Sequence, residues 1–157
     1  MPTATAATTK YLFNSFTSTP GAKGITDDVK KFYLNKDLPD LEYIKFLLSN
    51  IFQEIIDKYN LMEKVDSQGY VYIKIVKGIY GLKQSGIIVH KELIKYLSPY
   101  IYAPAQHTLG LWKHDAQDTI FFLVVDDFAI KHTSTKNIYH LLNALNSKYT
   151  ISEDWTA

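Results

Sequence analysis

The clearest pattern along the chain is an unbroken apolar run, Ile120-Phe121-Phe122-Leu123-Val124-Val125, that stops at two adjacent aspartates, Asp126 and Asp127. Such a run reads as a buried strand ending at a hairpin tip, with Phe128 to Lys131 returning beside it. Tyr70 to Ile75 has high strand propensity, with Lys74 directed off its apolar face. Leu109 to Trp112 reads as another strand, followed by a turn at His114-Asp115-Ala116-Gln117. Helical spacing is carried by Ile51, Ile55, Ile56 and Tyr59, which predicts a helix over roughly Asn50 to Lys58. A second helix runs through Leu93, Ile94 and Leu97 and stops before Pro99. The last starts near Ser134, with Ile138, Leu141, Leu142 and Leu145 along one side.

The remaining stretches are less periodic. Residues 1–20 are rich in Ala, Thr and Ser and end at Pro20-Gly21, which reads as a flexible or extended lead-in. A short element covers Lys23 to Val29, followed by the aromatic patch Phe32-Tyr33-Leu34. Tyr43 to Leu48 fits either a strand or the start of a helix, and a short terminal strand includes Ile151. No internal repeat or linker divides the chain. The order predicts one α+β domain over 21–157, a mostly antiparallel sheet with helices packed on one face.

At 157 residues and 46% apolar content, the chain is long enough for a real core. All seventeen basic residues are Lys, so the bidentate fork that Arg offers to phosphate or guanine is missing. Lysine still neutralises phosphate as a point charge, with salt-dependent affinity. With no Cys, disulfides, thiol chemistry and cysteine zinc sites are excluded. The N-terminal residues lack the pattern of a signal peptide, and no stretch has the length and apolarity of a membrane span. The expected setting is intracellular, cytoplasmic or nuclear, with no membrane partner.

Two carboxylates at the end of a core strand are costly unless a cation shares them. The pair Asp126 and Asp127 therefore points to a divalent metal, with a further carboxylate from Asp27 or Asp28. On spacing alone either of these serves, and the tip also fits a plain turn, where Asp is common. Three converging carboxylates suit two Mg²⁺ ions about 3.5–4 Å apart, one activating a 3′-hydroxyl and one stabilising leaving pyrophosphate. The five histidines have no metal-site spacing with Cys and read as surface or core fillers. Trp112 and Trp155 read as core or interface anchors, and Lys74, Lys77, Lys83 and Lys131 as a candidate phosphate-facing surface.

Three segments carry a family resemblance. Val124-Val125-Asp126-Asp127 resembles the hairpin motif of reverse transcriptases. Lys77-Gly78-Ile79-Tyr80-Gly81-Leu82-Lys83-Gln84-Ser85 resembles the loop-to-helix motif of Ty1/copia retrotransposon polymerases. Asp28-Val29-Lys30-Lys31-Phe32-Tyr33-Leu34-Asn35 is similar to their first carboxylate motif, which selects Asp28 over Asp27. The similarity spans the chain from about Thr19 onward, including Thr108 to Trp112.

The resemblance implies a ferredoxin-like polymerase palm performing RNA-directed DNA synthesis, in which Asp28 and Asp126 hold Mg²⁺ or Mn²⁺. Asp127 would assist and the Val29 carbonyl would complete one coordination sphere. Tyr33 would lie under the nucleotide sugar and exclude a 2′-hydroxyl, with Phe32 beside it in the substrate region or the core. Gly81, Lys83 and Gln84 would meet incoming nucleotide and template. The implied partners are an RNA or DNA template with primer and dNTPs. Against the family pattern, the chain is expected to lack a thumb and most of the fingers, Val124 stands at an often aromatic position, and Ala129 replaces a frequent Gly. Catalytic carboxylates without substrate-holding machinery are therefore expected, with missing subdomains supplied from elsewhere. Uncovered apolar surface would favour oligomers.

Overall fold

The computed structural model describes residues 4–34 and 36–154. Helix α1 (Ala6–Ser18) leads into β1 (Lys23–Val29) and β2 (Asp37–Leu47). Helix α2 (Gln53–Tyr59) precedes β3 (Tyr70–Lys77) and α3 (Lys83–Leu97). Four short strands follow: β4 (Tyr102–Pro104), β5 (Leu111–His114), β6 (Thr119–Val124) and β7 (Asp127–His132). Helix α4 (Thr135–Asn146) and β8 (Ile151–Asp154) complete the described chain.

The strands form two sheets. One has six strands in the order β4-β5-β6-β7-β1-β8, and the other is the ribbon β2-β3. Neighbours in the larger sheet all run antiparallel. Alternation sorts the side chains: Ile25 and Val29 of β1, Phe121 and Leu123 of β6, and Phe128 and Ile130 of β7 enter the main core. Helix α3 adds Val89, Leu93 and Leu97, and α4 adds Ile138, Leu141, Leu142 and Leu145 at helical spacing. Trp112 and Phe121 stack with centroids 5.5 Å apart and planes 10° apart, both fully buried. Burying each such ring contributes about 1.5–3 kcal/mol before entropy is counted.

Two expectations are corrected. The lead-in over residues 1–20 is neither extended nor frayed through its middle, since it forms α1. The Thr5 hydroxyl caps that helix by accepting the Thr8 N–H at 3.2 Å, and Leu12 is fully buried. Helices also do not keep to one face of the sheet. The Phe16 ring lies against Gly24, whose side of β1 is opposite to Ile25, so α1 covers the face away from α3 and α4. Tertiary packing, more than propensity, holds a helix of such polar composition. The segment left open between strand and helix, Tyr43 to Leu48, is largely the end of β2.

The ribbon has its own small cluster, in which Val71 packs with Ile56 and Leu61. Its ladder continues through the Gly78 N–H to the Lys36 carbonyl at 2.7 Å, and Gln84 of α3 ties it to the main body by donating to Glu42. Among the described residues, no helix is long and apolar enough to cross a membrane.

Candidate functional site

The hairpin places the tip residues. Strands β6 and β7 pair up to Val124 opposite Asp127, so Val125 and Asp126 form a two-residue loop. Val125 takes φ +63°, a left-handed backbone that a β-branched residue rarely adopts. Asp127 opens β7 and stands directly opposite Asp28 of β1. Residues paired across antiparallel strands share a face, so these two carboxylates are neighbours. The Val29 N–H donates to the Asp126 carbonyl at 3.1 Å and ties the loop to the end of β1. Asp27, only 3% exposed, belongs to the opposite face of the same strand. Register therefore sets Asp28, and not Asp27, on the face it shares with Asp127.

The electrostatics record the convergence. The Asp127 carboxyl is pushed above its ordinary range, first by burial, then by the charges of Asp126 and Asp28. The Tyr80 hydroxyl donates to Asp126 Oδ2 at 2.5 Å, and that bond above all raises Tyr80 to about 12. Tyr33 is also raised to about 12, by burial first and the Asp126 charge second, and its hydroxyl donates to the Val125 carbonyl at 3.1 Å. The two tyrosine rings meet edge to face at 5.0 Å. Among the described residues the ion pairs are Lys36–Glu92, Lys113–Asp115 and Lys148–Glu92, so no lysine neutralises the three aspartates.

Carboxylate oxygens without a cationic neighbour are the donor type that Mg²⁺ and Mn²⁺ take. The ligands are not preassembled, however. Among the described residues no group of three or more His, Asp or Glu is arranged to hold a metal, and Asp126 spends one oxygen on Tyr80. A cleft of about 380 Å³ opens over this corner, lined by Thr26, Asp28, Val124, Asp127 and Ser152 among others. Helix α1 covers only the other end of the same sheet face, near Gly24 and Ala129.

The loop before α3 forms a second hollow of about 250 Å³, where Tyr33, Tyr80, Gly81, Lys83 and Val125 meet. Gly81 has φ +88°, and a Cβ on Gly78 would come within 2.7 Å of the Tyr33 carbonyl, so both positions need glycine. Tyr33, Gly81 and Lys83 are thus brought beside the hairpin tip. Gln84 is not free there, because its Nε2 donates to Glu42 Oε1 of β2 at 2.5 Å.

Other expectations are corrected. Of the two places left open for Phe32, the structure gives the core: it is 1% exposed and meets Tyr33, Phe128 and Tyr149 edge to face. Lys131 faces no solvent surface; it is 7% exposed and donates to Thr19 Oγ1 at 2.7 Å, because α1 covers it. Lys74, Lys77 and Lys83 are exposed. Trp155 lies outside the described residues, as does Asn35 of the first motif. Sequence reasoning gave Tyr80 no role, although it lies between the two motif glycines, and it overlooked Ser85, whose hydroxyl accepts the Ile79 N–H at 3.1 Å and shapes the loop.

No protein-family model matches the chain, and no curated protein matches it by sequence. Among solved structures, a telomerase from Candida albicans in complex with a TWJ fragment of telomeric RNA is similar, with 13% identity and a TM-score of 0.46. The match covers 99% of this chain and 31% of the telomerase chain. It is a distant likeness, it is not specific to Ty1/copia polymerases, and no argument about function rests on it.

Proposed function

We propose that this chain is the palm-type core of a Ty1/copia-like reverse transcriptase, with Asp28, Asp126 and Asp127 as its catalytic carboxylates. The observation that carries this reading is the pairing of Asp28 with Asp127 across adjacent strands, with Asp126 in the loop between β6 and β7. Asp28, distant in sequence, stands against the adjacent pair Asp126–Asp127, and Asp28 and Asp127 line an open cleft, in a chain whose three motifs resemble that family.

In this reading Asp28 and Asp126, helped by Asp127 and the Val29 carbonyl, hold Mg²⁺ or Mn²⁺. When bound, the cations supply charge neutralisation and activation of a primer 3′-hydroxyl toward a dNTP. The chain's own contribution is positional. Sheet pairing fixes Asp28 against Asp127, and the Val125–Asp126 turn sets the third carboxylate. Tyr33, anchored through its hydroxyl to the Val125 carbonyl, gives the neighbouring hollow a rigid wall that limits space beside a nucleotide sugar. Lys83 at the rim offers a phosphate contact.

A second reading, a nucleic-acid or protein binding module without polymerase activity, is favoured by one observation. Asp126 is engaged by Tyr80, and no ready-made metal cluster exists among the described residues. Mn²⁺ titration followed by electron paramagnetic resonance, paired with primer extension on a homopolymeric template, separates the two. The polymerase reading expects cation binding and nucleotide addition, both lost in Asp126→Asn. A folded wild-type chain that neither binds Mn²⁺ nor extends primer would leave the module.

A further inference from the structure

The ribbon presents two unlike faces. Pairing puts Glu42, Ile44 and Phe46 on one face with Ile75, Ile73 and Val71, and this face carries the small apolar cluster. The other face pairs Tyr43 with Lys74, Lys45 with Tyr72, and Leu47 with Tyr70. Over the first two pairs tyrosine and lysine alternate along and across the strands, while at the third Leu47 stands opposite Tyr70, which follows Tyr72 on the same side of β3. This face is uncovered: Tyr43 is 59% and Tyr72 57% exposed, and both lysines are exposed. Diagonal neighbours such as Tyr43 and Tyr72 stand about 7–8 Å apart on a sheet. The Lys45 ammonium already sits 3.8 Å from the centroid of the Tyr70 ring and 5.6 Å from that of Tyr72.

The acidic groups near this face are limited. Asp66 lies at its end, where its carboxylate accepts the N–H groups of Gln68 and Tyr70 at 2.9 and 2.8 Å and also meets the Tyr72 hydroxyl and the Lys45 charge, so one acidic group borders the face. Glu42 belongs to the opposite face and is held by Gln84. Two point cations set beside two exposed rings, Tyr43 and Tyr72, with the half-buried Tyr70 at the end, match a chain of alternating phosphates and unstacked bases. Rings stack on any base, and ammonium groups neutralise phosphate without needing the Arg fork that this protein lacks. A purely apolar partner would leave both lysines desolvated, and a rigid duplex would keep its bases from the rings.

We infer that the Tyr43–Lys45–Tyr70–Tyr72–Lys74 face of the β2-β3 ribbon binds single-stranded nucleic acid by stacking bases on the tyrosines and seating phosphates on the lysines. This surface is separate from the aspartate corner, and the inference does not depend on polymerase activity. Fluorescence anisotropy of a labelled oligothymidylate of about 12 nucleotides tests it on the whole chain. Tyr43→Ala and Tyr72→Ala each weaken binding roughly tenfold or more, whereas Tyr72→Phe, which keeps the ring, stays within about twofold. Lys45→Gln and Lys74→Gln each reduce the slope of log affinity against log salt by about 0.7. Lys136→Gln, an exposed lysine of α4, leaves all of this unchanged, and Mn²⁺ binding and primer extension are read separately, so failure of the polymerase reading and failure of this one are distinguishable.

These side chains are exposed, so the variants keep the core, and circular dichroism verifies it. Wild-type affinity in the Tyr72→Ala variant overturns the inference, as does equal loss in Tyr72→Phe. So does sedimentation showing that the ribbon face instead joins two copies of the chain while the oligonucleotide ignores it.

Discussion

Replacing Tyr80 with Phe removes one hydroxyl and nothing else. The ring keeps its edge-to-face contact with Tyr33, while the bond to Asp126 Oδ2 is lost. A hydrogen bond to a charged group contributes about 1.5–3 kcal/mol when buried. Tyr80 is 49% exposed, so water competes and the figure falls to about 1 kcal/mol. A cation at the aspartate corner must displace that bond before Asp126 turns toward Asp28 and Asp127. Tyr80→Phe is therefore expected to tighten Mn²⁺ binding roughly fivefold, the equivalent of about 1 kcal/mol. Electron paramagnetic resonance of free Mn²⁺ measures it at neutral pH, with Asp126→Asn as the blank and a thermal melt to verify folding. Unchanged affinity would refute the competition. Weaker binding would refute it too, and would make Tyr80 a residue that holds Asp126 in its ligating position.

Two further outcomes follow from the core. Leu12→Ala is expected to cost about 2–5 kcal/mol in urea unfolding, because a fully buried side chain of α1 is deleted; a loss near zero would mean the helix does not dock. His114 and His132 are both held below the ordinary histidine range, chiefly by burial, so the folded chain favours their neutral forms. As pH falls from about 6.5, the unfolded chain binds the extra protons, stability declines, and the decline ends below the folded-state values. Urea midpoints from neutral pH to about 5 measure this, and His132→Gln should flatten part of the slope. A midpoint independent of pH across that window would contradict the burial argument.

What was legible in the sequence follows from how local each signal is. Ile120 to Val125 ending in Asp126-Asp127 announced the β6-β7 hairpin, because a continuous apolar run followed by turn residues has few other solutions. The α4 stripe of Ile138, Leu141, Leu142 and Leu145 was equally plain. Helix α1 was hidden, since its Ala, Thr and Ser positions resemble a loop and its stability comes from burying Leu12 and setting Phe16 against Gly24 of the sheet. Strand β4 was hidden because it has three residues and ends in proline. Phe32 and Tyr33 are adjacent aromatics, and only the packed fold decides that the first enters the core while the second reaches the hairpin carbonyl. The bond from Tyr80 to Asp126 spans 46 residues, and no local pattern foretells it.

The two apolar clusters share no residue. Lesions in one therefore leave the scaffold of the other standing, and their costs should simply sum. A lineage carrying this chain can erode its acidic corner while preserving the ribbon, or the reverse, so loss of one capacity is no sentence on the other.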